Sequence, residues 1–452
     1  MAVRAGRGRA ALLALVVVAA LAPGRLPSAL TTGQGVTWTD PIEVAAGGAF
    51  RGSWRMNDSV FDFVDDPTVA IDAGGRVGVV WADHSRKNLF FQRYGPDGKA
   101  LLDAPVNVSR SPRIFSWLPR LVLPAGDPTA VHVLWQEIVF SGGSHGGEVF
   151  FARSADGGRT FSDPVNLSNS RAGDGKGRLT ARHWHNGSLD LALGPQGHLH
   201  VAWTEYEGRL WYRRSTDGGA SFSEPLPVAG GRGANPARGP ALAVDDRGAV
   251  HLAWTVGEDA AADIRVATSR DGGRSFGDPR IVDTGSGHAD APKLAVDGRR
   301  TVHVVYAESP TGPSGRYHVR YSRRADGADA FEAPRAISAP PGAPPAGAGF
   351  PALGLDGEER LYVIWELFPD DAGRPRGLGF TSSTDGGTTF AAASTVPGTG
   401  DPRDGFNGSQ QGLLMRKLAV NRVGAIAVVN STFRANEASR VRLLRGFAGE
   451  SP

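Results

Sequence analysis

The stretch Ser269-Arg-Asp-Gly-Gly-Arg-Ser-Phe276 decides the fold, because the same pattern returns three more times along the chain. The pattern is S-x-D-x-G-x-[ST]-F, and the other copies begin at Ser154, Ser215 and Ser383. It predicts a tight β-turn in which the Asp accepts backbone hydrogen bonds, Gly adopts positive φ and the Phe anchors the next strand in the core. Four copies of one octapeptide indicate a repeat protein.

Short apolar stretches surround each octapeptide and are separated by turn residues. The unit that contains Ser269 runs through residues 242–244, 250–254, 264–269 and 276–282. Such short strands are typical of all-β proteins, and four antiparallel strands make one blade of a propeller. The octapeptide resembles the Asp-box, or BNR repeat, of the sialidase-like β-propellers over nearly the whole chain beyond its N-terminal segment. The resemblance implies an architecture and not an activity, because Asp-boxes form turns.

The number of blades follows from the aromatic residue that ends each second strand. These residues are Trp81, Trp135, Trp203, Trp254, Tyr306 and Trp365. A seventh unit at 418–430 carries Asn430 in that place and has no fourth strand. Residues 36–44 supply the missing pattern, because Trp38 there matches Phe161 of the second unit.

The sequence therefore predicts an all-β, seven-bladed β-propeller over about residues 36–447, in which the N-terminal strand completes the last blade. Such pairing closes the ring and removes an exposed sheet edge. The alternative is six blades with a β appendage, since the sialidases themselves have six blades.

The N-terminal segment predicts export. Residues 1–9 carry three Arg and no acid, and the apolar run at 10–22 is too short to span a bilayer comfortably. This arrangement is typical of a secretory signal peptide. We expect residues 1–30 to be removed, leaving one domain at 31–452 that is secreted or held in the periplasm or cell envelope. The alternative is an uncleaved membrane anchor.

Composition excludes several classes of protein. A net charge of +3 with 21% charged residues produces no large field, so nucleic acid is not an expected partner. The chain has no Cys, which excludes a disulfide framework and a lipidated cysteine. We expect a monomer without cofactor or metal. The acid pairs Asp65-Asp66 and Asp370-Asp371 could hold structural calcium, but two acids alone are weak evidence.

Propellers usually bind ligands on the face that carries the connections between blades and the loops joining second to third strands. We name it the loop face, and we name the opposite face, which carries the octapeptides starting at Ser154, Ser215, Ser269 and Ser383, the turn face. One repeat position holds a histidine in four separate blades, and we expect packing there and not metal binding. These histidines are His132, His200, His251 and His303.

Four blades carry an acid two residues after the second-strand aromatic, where the strand enters the loop face. These ring acids are Asp83, Glu137, Glu205 and Glu308. Carboxylates around a pocket can accept sugar hydroxyls or act as a general acid, so they are the candidate catalytic residues. The alternative is that each one bonds backbone amides of neighbouring connections.

Cations begin several inner strands at equivalent positions. These inner-strand cations are Arg120, Lys293 and Lys417, and Asp190 takes the same place in another blade. A sevenfold ring aims equivalent positions at the channel mouth, where three cations could bind a carboxylate or a sulfate. The alternative is that they pair with the ring acids.

The long connections carry side chains expected of a saccharide site. The candidate ligand-binding residues there are Arg113, Trp117, Arg182, His183, Trp184 and Arg403. An exposed tryptophan ring offers a flat apolar platform to a sugar, and neighbouring polar groups hold its hydroxyls. We therefore expect a carbohydrate or cell-surface glycan as ligand, or else a protein, unless these loops merely pack over the channel.

The resemblance also implies what a sialidase would need. Sialidases hold a substrate carboxylate with three arginines, the first in an Arg-Ile-Pro motif opening the first blade, and use a late Tyr nucleophile. Here that blade opens with Phe63-Val-Asp-Asp-Pro-Thr-Val69, without Arg, and the last tyrosine, Tyr362, lies inside a second strand. These departures favour a glycan-binding propeller. The alternative is a glycoside hydrolase, either a sialidase or an enzyme using two ring acids.

Overall fold

The computed structural model describes residues 29–31, 35–111, 113–138, 147–169, 178–179, 184–185, 188–205, 208–231, 235–257, 261–282, 285, 287–338, 347–369, 373–407 and 416–449, with only the backbone at 29–31, 178–179 and 184–185. The predicted signal peptide lies almost wholly outside them. Helix within these ranges is confined to short 3₁₀ turns, including Pro195–Gly197 and Pro402–Asp404. No helix in the described residues is long and apolar enough to span a membrane.

Seven antiparallel sheets of the described chain are arranged in a ring, which is a seven-bladed β-propeller, and two two-stranded hairpins accompany them. The N-terminal strands are β1 (Ala29–Thr31), β2 (Val36–Thr39), β3 (Ile42–Gly47), β4 (Phe50–Arg51) and β5 (Phe61–Asp62). The first blade contains β6 (Val64–Ile71), β7 (Val77–Asp83), β8 (Asn88–Tyr94) and β9 (Val106–Asn107). The second contains β10 (Ser116–Val122), β11 (Val131–Glu137), β12 (Glu148–Ser154) and β13 (Val165–Asn166).

The middle blades repeat this order from the channel outward. A hairpin of β14 (Arg178–Leu179) and β15 (Trp184–His185) precedes the third blade, which contains β16 (Leu189–Leu193), β17 (Leu199–Thr204), β18 (Leu210–Ser215) and β19 (Leu226–Ala229). The fourth contains β20 (Ala237–Val244), β21 (Val250–Val256), β22 (Asp263–Ser269) and β23 (Arg280–Ile281). The fifth contains β24 (His288–Val296), β25 (Val302–Ser309), β26 (His318–Arg324) and β27 (Arg335–Ala336).

The last two blades lead back to the N-terminus. The sixth contains β28 (Gly347–Leu355), β29 (Leu361–Phe368), β30 (Leu378–Ser383) and β31 (Ser394–Thr395). The seventh contains β33 (Leu418–Val420), β34 (Ala425–Arg434) and β35 (Ala438–Ala448), with β32 (Phe406–Asn407) paired at the far end of β34. Its outer position is taken by the two N-terminal strands β2 and β3.

The N-terminal strands close the ring as the sequence predicts. Val36 in β2 pairs with Ala448 of β35, and Ile42 in β3 pairs with Leu443 of the same strand. The Trp38 side chain is fully buried and meets Phe380 of the sixth blade edge-on, with ring centroids 5.6 Å apart. The seven-bladed architecture is therefore confirmed, and the alternative of six blades with an appendage is wrong.

Each octapeptide forms the predicted turn. In the third blade the Ser215 hydroxyl donates to Asp217 at 2.7 Å and accepts from the backbone N–H of Gly219 at 2.8 Å. The carboxylate of Asp217 also accepts from the backbone N–H and the hydroxyl of Ser221. The copies at Ser154, Ser269 and Ser383 repeat these bonds. The Asp carboxylate thus bonds to a hydroxyl on each side of the turn and to a backbone N–H within it, which is the reason for an acid at this position.

The octapeptides also join neighbouring blades, which the sequence analysis did not foresee. The Phe that ends each copy packs edge-on against an aromatic ring in the third strand of the preceding blade, at 4.8 to 5.6 Å between centroids. The pairs are Phe161 with Phe91, Phe222 with Phe151, Phe276 with Tyr212 and Phe390 with Tyr321. The second Gly of each copy has positive φ, and a Cβ there would collide with the same ring. We name this contact the interblade staple.

A second repeated feature shapes the channel end of the inner strands. Five inner strands carry a β-bulge whose first residue has a positive φ and is followed by proline. The residues with positive φ are Asp66, Leu118, Gly239, Ala291 and Phe350. A bulge leaves one residue outside the ladder, so the proline loses no hydrogen bond there. The bulge redirects the side chains on both sides of it at the loop face.

The closure by β2 makes a prediction about stability. Trp38→Ala is expected to lower the free energy of unfolding by about 3 to 5 kcal/mol, because it leaves a cavity in the closing blade. Denaturant unfolding of the protein measures this loss. The control is Phe50→Ala, since Phe50 is 51% exposed on the neighbouring N-terminal strand. Equal effects of the two substitutions would contradict closure by a buried Trp38.

Candidate functional site

The seven inner strands enclose a central channel. Its cavity measures about 310 Å³, and its wall is mostly Val, Leu and Ala side chains. Three charged residues interrupt this apolar lining at the loop-face end: Asp190, Lys293 and Arg416. We name this end the channel mouth.

One carboxylate organises the channel mouth. Asp190 is buried and accepts from Arg416 at 3.0 and 3.1 Å, while Arg120 approaches it at 3.4 Å. The backbone N–H of Leu242 in the next blade donates to the same carboxylate at 2.8 Å. Burial lowers the pKa of Arg120 to about 10, although the attraction of Asp190 opposes that shift.

The ammonium of Lys293 stands beside this group. In the described part of the chain it has no hydrogen-bond or ion-pair partner, and it borders the channel cavity. Burial, and next the repulsion of Arg120, lower its pKa to about 8. The structure thus gathers Arg120, Lys293 and Asp190, as their repeat position predicted. Arg416, which the sequence analysis did not name, joins them.

Lys417 belongs to a separate buried pair. Its ammonium contacts the carboxylate of Glu366, which also accepts from the side-chain amide of Asn407 at 2.5 Å. Both charged groups of this pair are almost fully buried. A buried pair with a third hydrogen bond stabilises the position of β33 relative to β29 and leaves little of Lys417 for a ligand.

The ring acids have partners within their own blades. Glu137 is buried and accepts from the hydroxyls of Ser111 and Ser116 and from the indole of Trp135, and burial raises its pKa. Glu308 accepts from Arg320 at 2.5 Å.

The other two ring acids are less buried. Asp83 accepts from the hydroxyl of Ser85 at 2.6 Å and from the backbone N–H of Arg86 at 3.1 Å. Glu205 is half-buried, and its backbone pairs with Arg209. The contacts of Asp83, Glu137 and Glu308 link none of these three ring acids to another. The pairing of ring acids with inner-strand cations does not occur among those contacts either.

Trp117 is not an exposed platform, contrary to the sequence analysis. It lies in β10 with 1% of its surface exposed, inside a cluster of aromatic side chains from the first two blades. The exposed member of that cluster is Trp54, which is 37% exposed and stacks on Trp117 at 5.8 Å with 21° between the ring planes. The loops at 50–60 and 113–115 fold onto each other, which covers Trp117 and leaves Trp54 outside.

Arg113 and Arg403 are the remaining loop candidates whose side chains the structure describes. Arg113 is exposed and has a positive φ. Arg403 is exposed and forms a two-pronged ion pair with Asp401, 2.6 Å at its closest. Arg182 and His183 lie outside the described residues, and of Trp184 only the backbone in β15 is described. Of the two acid pairs, Asp370-Asp371 also lies outside the described residues.

Asp65, Asp66 and His84 form a buried cluster whose ligand atoms lie within 4.8 Å of one another. His84 Nε2 is 2.5 Å from Asp65, and the imidazole is enclosed by Phe63 at 4.3 Å and Phe115 at 5.8 Å. Burial opposes a charge on His84, but the carboxylate of Asp65 outweighs it and raises the imidazole pKa. The short contact between His84 and Asp65 in apolar surroundings makes this cluster a buried imidazole and carboxylate pair.

A pocket that the sequence analysis missed lies on the loop face between the fifth and sixth blades. Its volume is about 560 Å³, and its walls include the half-buried rings of Tyr317, Phe350 and Phe368. Arg316 and Asp290 supply charged groups at its edge. Four glycines also line it, which keeps its floor close to the backbone. We name it the blade 5–6 pocket.

A polar network supports one wall of this pocket. Arg238 donates to His288 Nε2 at 2.9 Å and approaches Asp290 at 3.5 Å, and Thr255 donates to Asp290 at 3.0 Å. Since Arg can only donate, Nε2 of His288 carries no proton in this arrangement.

Tyr317 completes that wall. Its ring meets the imidazole of His288 edge-on at 6.1 Å between centroids, and its hydroxyl donates to the Pro313 carbonyl at 3.1 Å. Burial, and next the charge of Asp290, raise the pKa of Tyr317 to about 12.

The sequence contained a signal for part of this pocket. Arg238 and Asp290 each stand two residues before a bulge proline, at the same repeat position as Asp65 and Trp117. Aligning the inner strands on that proline would have placed these side chains together at the loop face. Tyr317 and Phe368 had no such signal, because they lie in loops or strand ends of unequal length.

Comparisons with known proteins show the fold. No family model and no curated protein matches the sequence. Among solved structures, an ulvan lyase of the polysaccharide lyase family PL25, bound to a glucuronate and sulfated rhamnose unit, matches with a TM-score of 0.54 and 11% identity, over 89% of this chain and 95% of that chain. The polysaccharide lyase Uly1 matches with a TM-score of 0.52 and 12% identity, over 85% and 90%.

A third match is an intramolecular trans-sialidase from Ruminococcus gnavus in complex with oseltamivir carboxylate. Its TM-score is 0.48 and its identity 11%, over 68% of this chain and 90% of that chain. At sequence identities this low, the matches show that this chain shares the propeller fold, and they assign no role to any of its residues.

The buried Asp65 and His84 pair predicts a pH dependence of stability. Because the folded pKa of His84 is raised above its unfolded value, the pair stabilises fully below the unfolded pKa, and this contribution is lost as pH rises through the folded pKa. The difference in unfolding free energy between the wild type and His84→Gln is therefore expected to shrink as the pH is raised from about 6 into the alkaline range. Denaturant unfolding across that range measures it.

Asp65→Asn is the companion variant, and it is expected to lose most of the same pH dependence because it removes the charge facing the imidazole. A difference between wild type and His84→Gln that stays constant over the whole range would show that His84 is neutral in the folded protein.

Proposed function

We propose that the chain is a carbohydrate-directed propeller that binds an acidic saccharide in the blade 5–6 pocket. The observation that carries the proposal is the convergence of three half-buried aromatic rings and charged groups on one cavity of about 560 Å³. A cavity of that size accommodates a few sugar rings.

The aromatic walls suit a pyranose ring. The faces of sugars carry C–H groups that pack against aromatic rings, while the hydroxyls need polar partners around the rim. Phe350 and Phe368 lie 6.3 Å apart at an angle of 47°, so they form two walls of a cleft and not a stacked pair. Tyr317 adds a third ring from the neighbouring blade.

The charges around the pocket favour an anionic sugar. Arg316 is exposed at the rim, and Arg238 lies behind the wall beside His288. Asp290 is the carboxylate that lines the pocket within the described residues. Two guanidinium groups against one carboxylate attract a carboxylated or sulfated sugar, and arginine holds such groups with two parallel hydrogen bonds.

The structural comparisons support the choice of ligand class at the level of the fold alone. The ulvan lyase with the same architecture was solved with a unit of glucuronate and sulfated rhamnose, which is an acidic saccharide. Propellers host many unrelated functions, so this likeness adds to the proposal only together with the pocket. The sequence-based expectation that the mature chain is exported and monomeric belongs to the same proposal.

Eliminative cleavage of a uronate is the second candidate function, and His288 and Tyr317 favour it. Elimination needs a neutralised carboxylate, a base for the proton next to it and an acid for the leaving oxygen. Tyr317 keeps its proton at neutral pH and suits the acid role. His288 is buried behind that wall, and it could act as the base only after a substrate carboxylate draws Arg238 away from its Nε2. Hydrolysis by two ring acids has less support, because those acids have separate partners.

The binding proposal predicts the effect of one arginine. Arg316→Ala is expected to weaken binding of a glucuronate-containing oligosaccharide about tenfold, since a hydrogen bond to a charged group contributes about 1.5 to 3 kcal/mol. Titration calorimetry measures the dissociation constant. The matched control is Arg299→Ala, because Arg299 is exposed on the turn face and pairs with Glu359 at 3.0 Å. Equal affinities of wild type, variant and control would refute the assignment of the pocket.

The catalytic candidate predicts a spectroscopic change. Incubation with a uronate polymer is expected to generate the ultraviolet absorbance of an unsaturated uronate, and Tyr317→Phe is expected to slow it at least about a hundredfold. Arg299→Ala again serves as control. New reducing ends without absorbance would indicate hydrolysis instead. Neither product, together with saturable binding, would identify a binding protein.

A further inference from the structure

The turn face carries a second pocket, at the junction between the fourth and fifth blades. Its volume is about 200 Å³, and charged side chains from both blades line it. They are Arg247, Arg270, Arg300, Arg324, Asp245 and Asp326. We name it the junction pocket. It lies on the face opposite the blade 5–6 pocket and shares no lining residue with it.

The carboxylates of the junction pocket are already engaged. Asp326 pairs with Arg300 at 2.8 Å, and Asp245 accepts the backbone N–H groups of Arg247 and Ala249 at 2.9 and 2.7 Å. Over the part of the chain that the structure describes, Arg247, Arg270 and Arg324 have no carboxylate within ion-pair distance. The pocket therefore holds an excess of positive charge.

His251 adds an unsatisfied polar atom to the wall. It is 5% exposed, its Nδ1 lies 3.0 Å from the Thr268 hydroxyl, and its Nε2 has no hydrogen-bond partner within the described residues. Its counterpart in the fifth blade, His303, has both nitrogens within hydrogen-bond distance of partners, Tyr321 at 2.8 Å and Asp297 at 3.2 Å. A buried nitrogen without a partner costs free energy, so a partner from outside the chain is expected at His251.

Two departures from the repeat create this pocket. The fourth blade has Val266 where the fifth has Tyr321, so the aromatic ring of the interblade staple is missing. The fifth blade has Arg324 where the fourth has Ser269, the first residue of the octapeptide, so its turn at 325–328 lacks the serine hydroxyl that accepts a backbone N–H in the other copies. The space that a ring and a glycine occupy at other junctions is here lined by guanidinium groups and an imidazole.

We propose that the junction pocket binds a tetrahedral oxyanion, sulfate or phosphate, either as a free ion or as a group on a larger molecule. Guanidinium groups present parallel N–H donors that match two oxygens of such an ion. Arg270 and Arg324 lie on the two sides of the junction, and Arg247 lies at the rim, so the anion would bridge the two blades. The Nε2 of His251 supplies one further contact from the wall. By pairing with guanidinium groups of both blades, the anion would connect them at the place where the interblade staple between the fourth and fifth blades is missing.

The test is titration calorimetry of the mature chain with sodium sulfate and with sodium phosphate, at constant ionic strength set with chloride. Saturable binding is expected for the wild type, and Arg324→Gln is expected to weaken it about tenfold. The matched control is Arg299→Gln, which lies on the same face but outside the pocket and is expected to bind as the wild type does.

A second variant keeps the test decisive if Arg324→Gln folds poorly. Val266→Tyr restores the partner that histidine has in other blades and places a ring at the junction, so it is expected to abolish oxyanion binding; a cooperative thermal transition shows that the variant is folded. Sulfate at a few times its dissociation constant is expected to raise the melting temperature of the wild type more than that of Val266→Tyr.

Two arms distinguish the source of the anion. Saturable binding of inorganic sulfate or phosphate that depends on Arg324 assigns a free ion. If only a sulfated monosaccharide binds, and its binding also depends on Arg324, the anion is a group on a larger ligand. No saturable binding of either probe, or binding that is equal in Val266→Tyr, overturns the proposal. Neither outcome bears on the blade 5–6 pocket, where Arg316 is tested with a different ligand.

Discussion

The ring depends on one contact, the edge-on packing of an aromatic ring in one blade against the Phe of the next octapeptide. Its geometry recurs at four junctions with nearly the same distance, and Trp38 makes the equivalent contact with Phe380 where the N-terminal strand closes the ring. The second Gly of each octapeptide lies directly on that ring, where no Cβ fits. The octapeptide therefore recurs along the chain for two physical reasons. It forms a turn whose backbone groups are hydrogen-bonded within the turn, and its Phe connects neighbouring blades.

The loop face obeys a different constraint. The inner strands must leave the channel wall without leaving backbone groups unpaired, and five of them do so through a bulge followed by proline. Arg120 follows one of these bulges and is buried, and its charge is compensated by Asp190, which also accepts from Arg416 at the channel mouth. Such compensation explains why a channel of apolar side chains tolerates charge at one end. The charged groups of the channel mouth are largely paired with one another and stabilise the fold. The open blade 5–6 pocket is therefore the better place for a ligand.

Both pockets arise where the repeat is broken. At the blade 5–6 pocket, loops of unequal length bring rings and charges together on the loop face, and on the turn face a missing staple opens the junction pocket. In a repeat protein, most residues form the same contacts between neighbouring repeats. Positions that depart from the repeat do not make those contacts. In this protein they hold side chains that suit ligands, such as Tyr317 and Arg324.

The sequence by itself determined the architecture, because turns and strand periodicity are local and repeat. The octapeptides gave the turns, the second-strand aromatics gave six blades, and the match of Trp38 to Phe161 gave the closure that makes seven. It also placed Arg120, Lys293 and Asp190 together, since equivalent positions of a ring meet at its axis. Only the tertiary structure decided which side chains are accessible and which meet across blades. Trp117 is buried because a distant loop folds onto it, and Arg238, His288 and Tyr317 meet because bulges and loop lengths bring separate segments together, which no local pattern encodes.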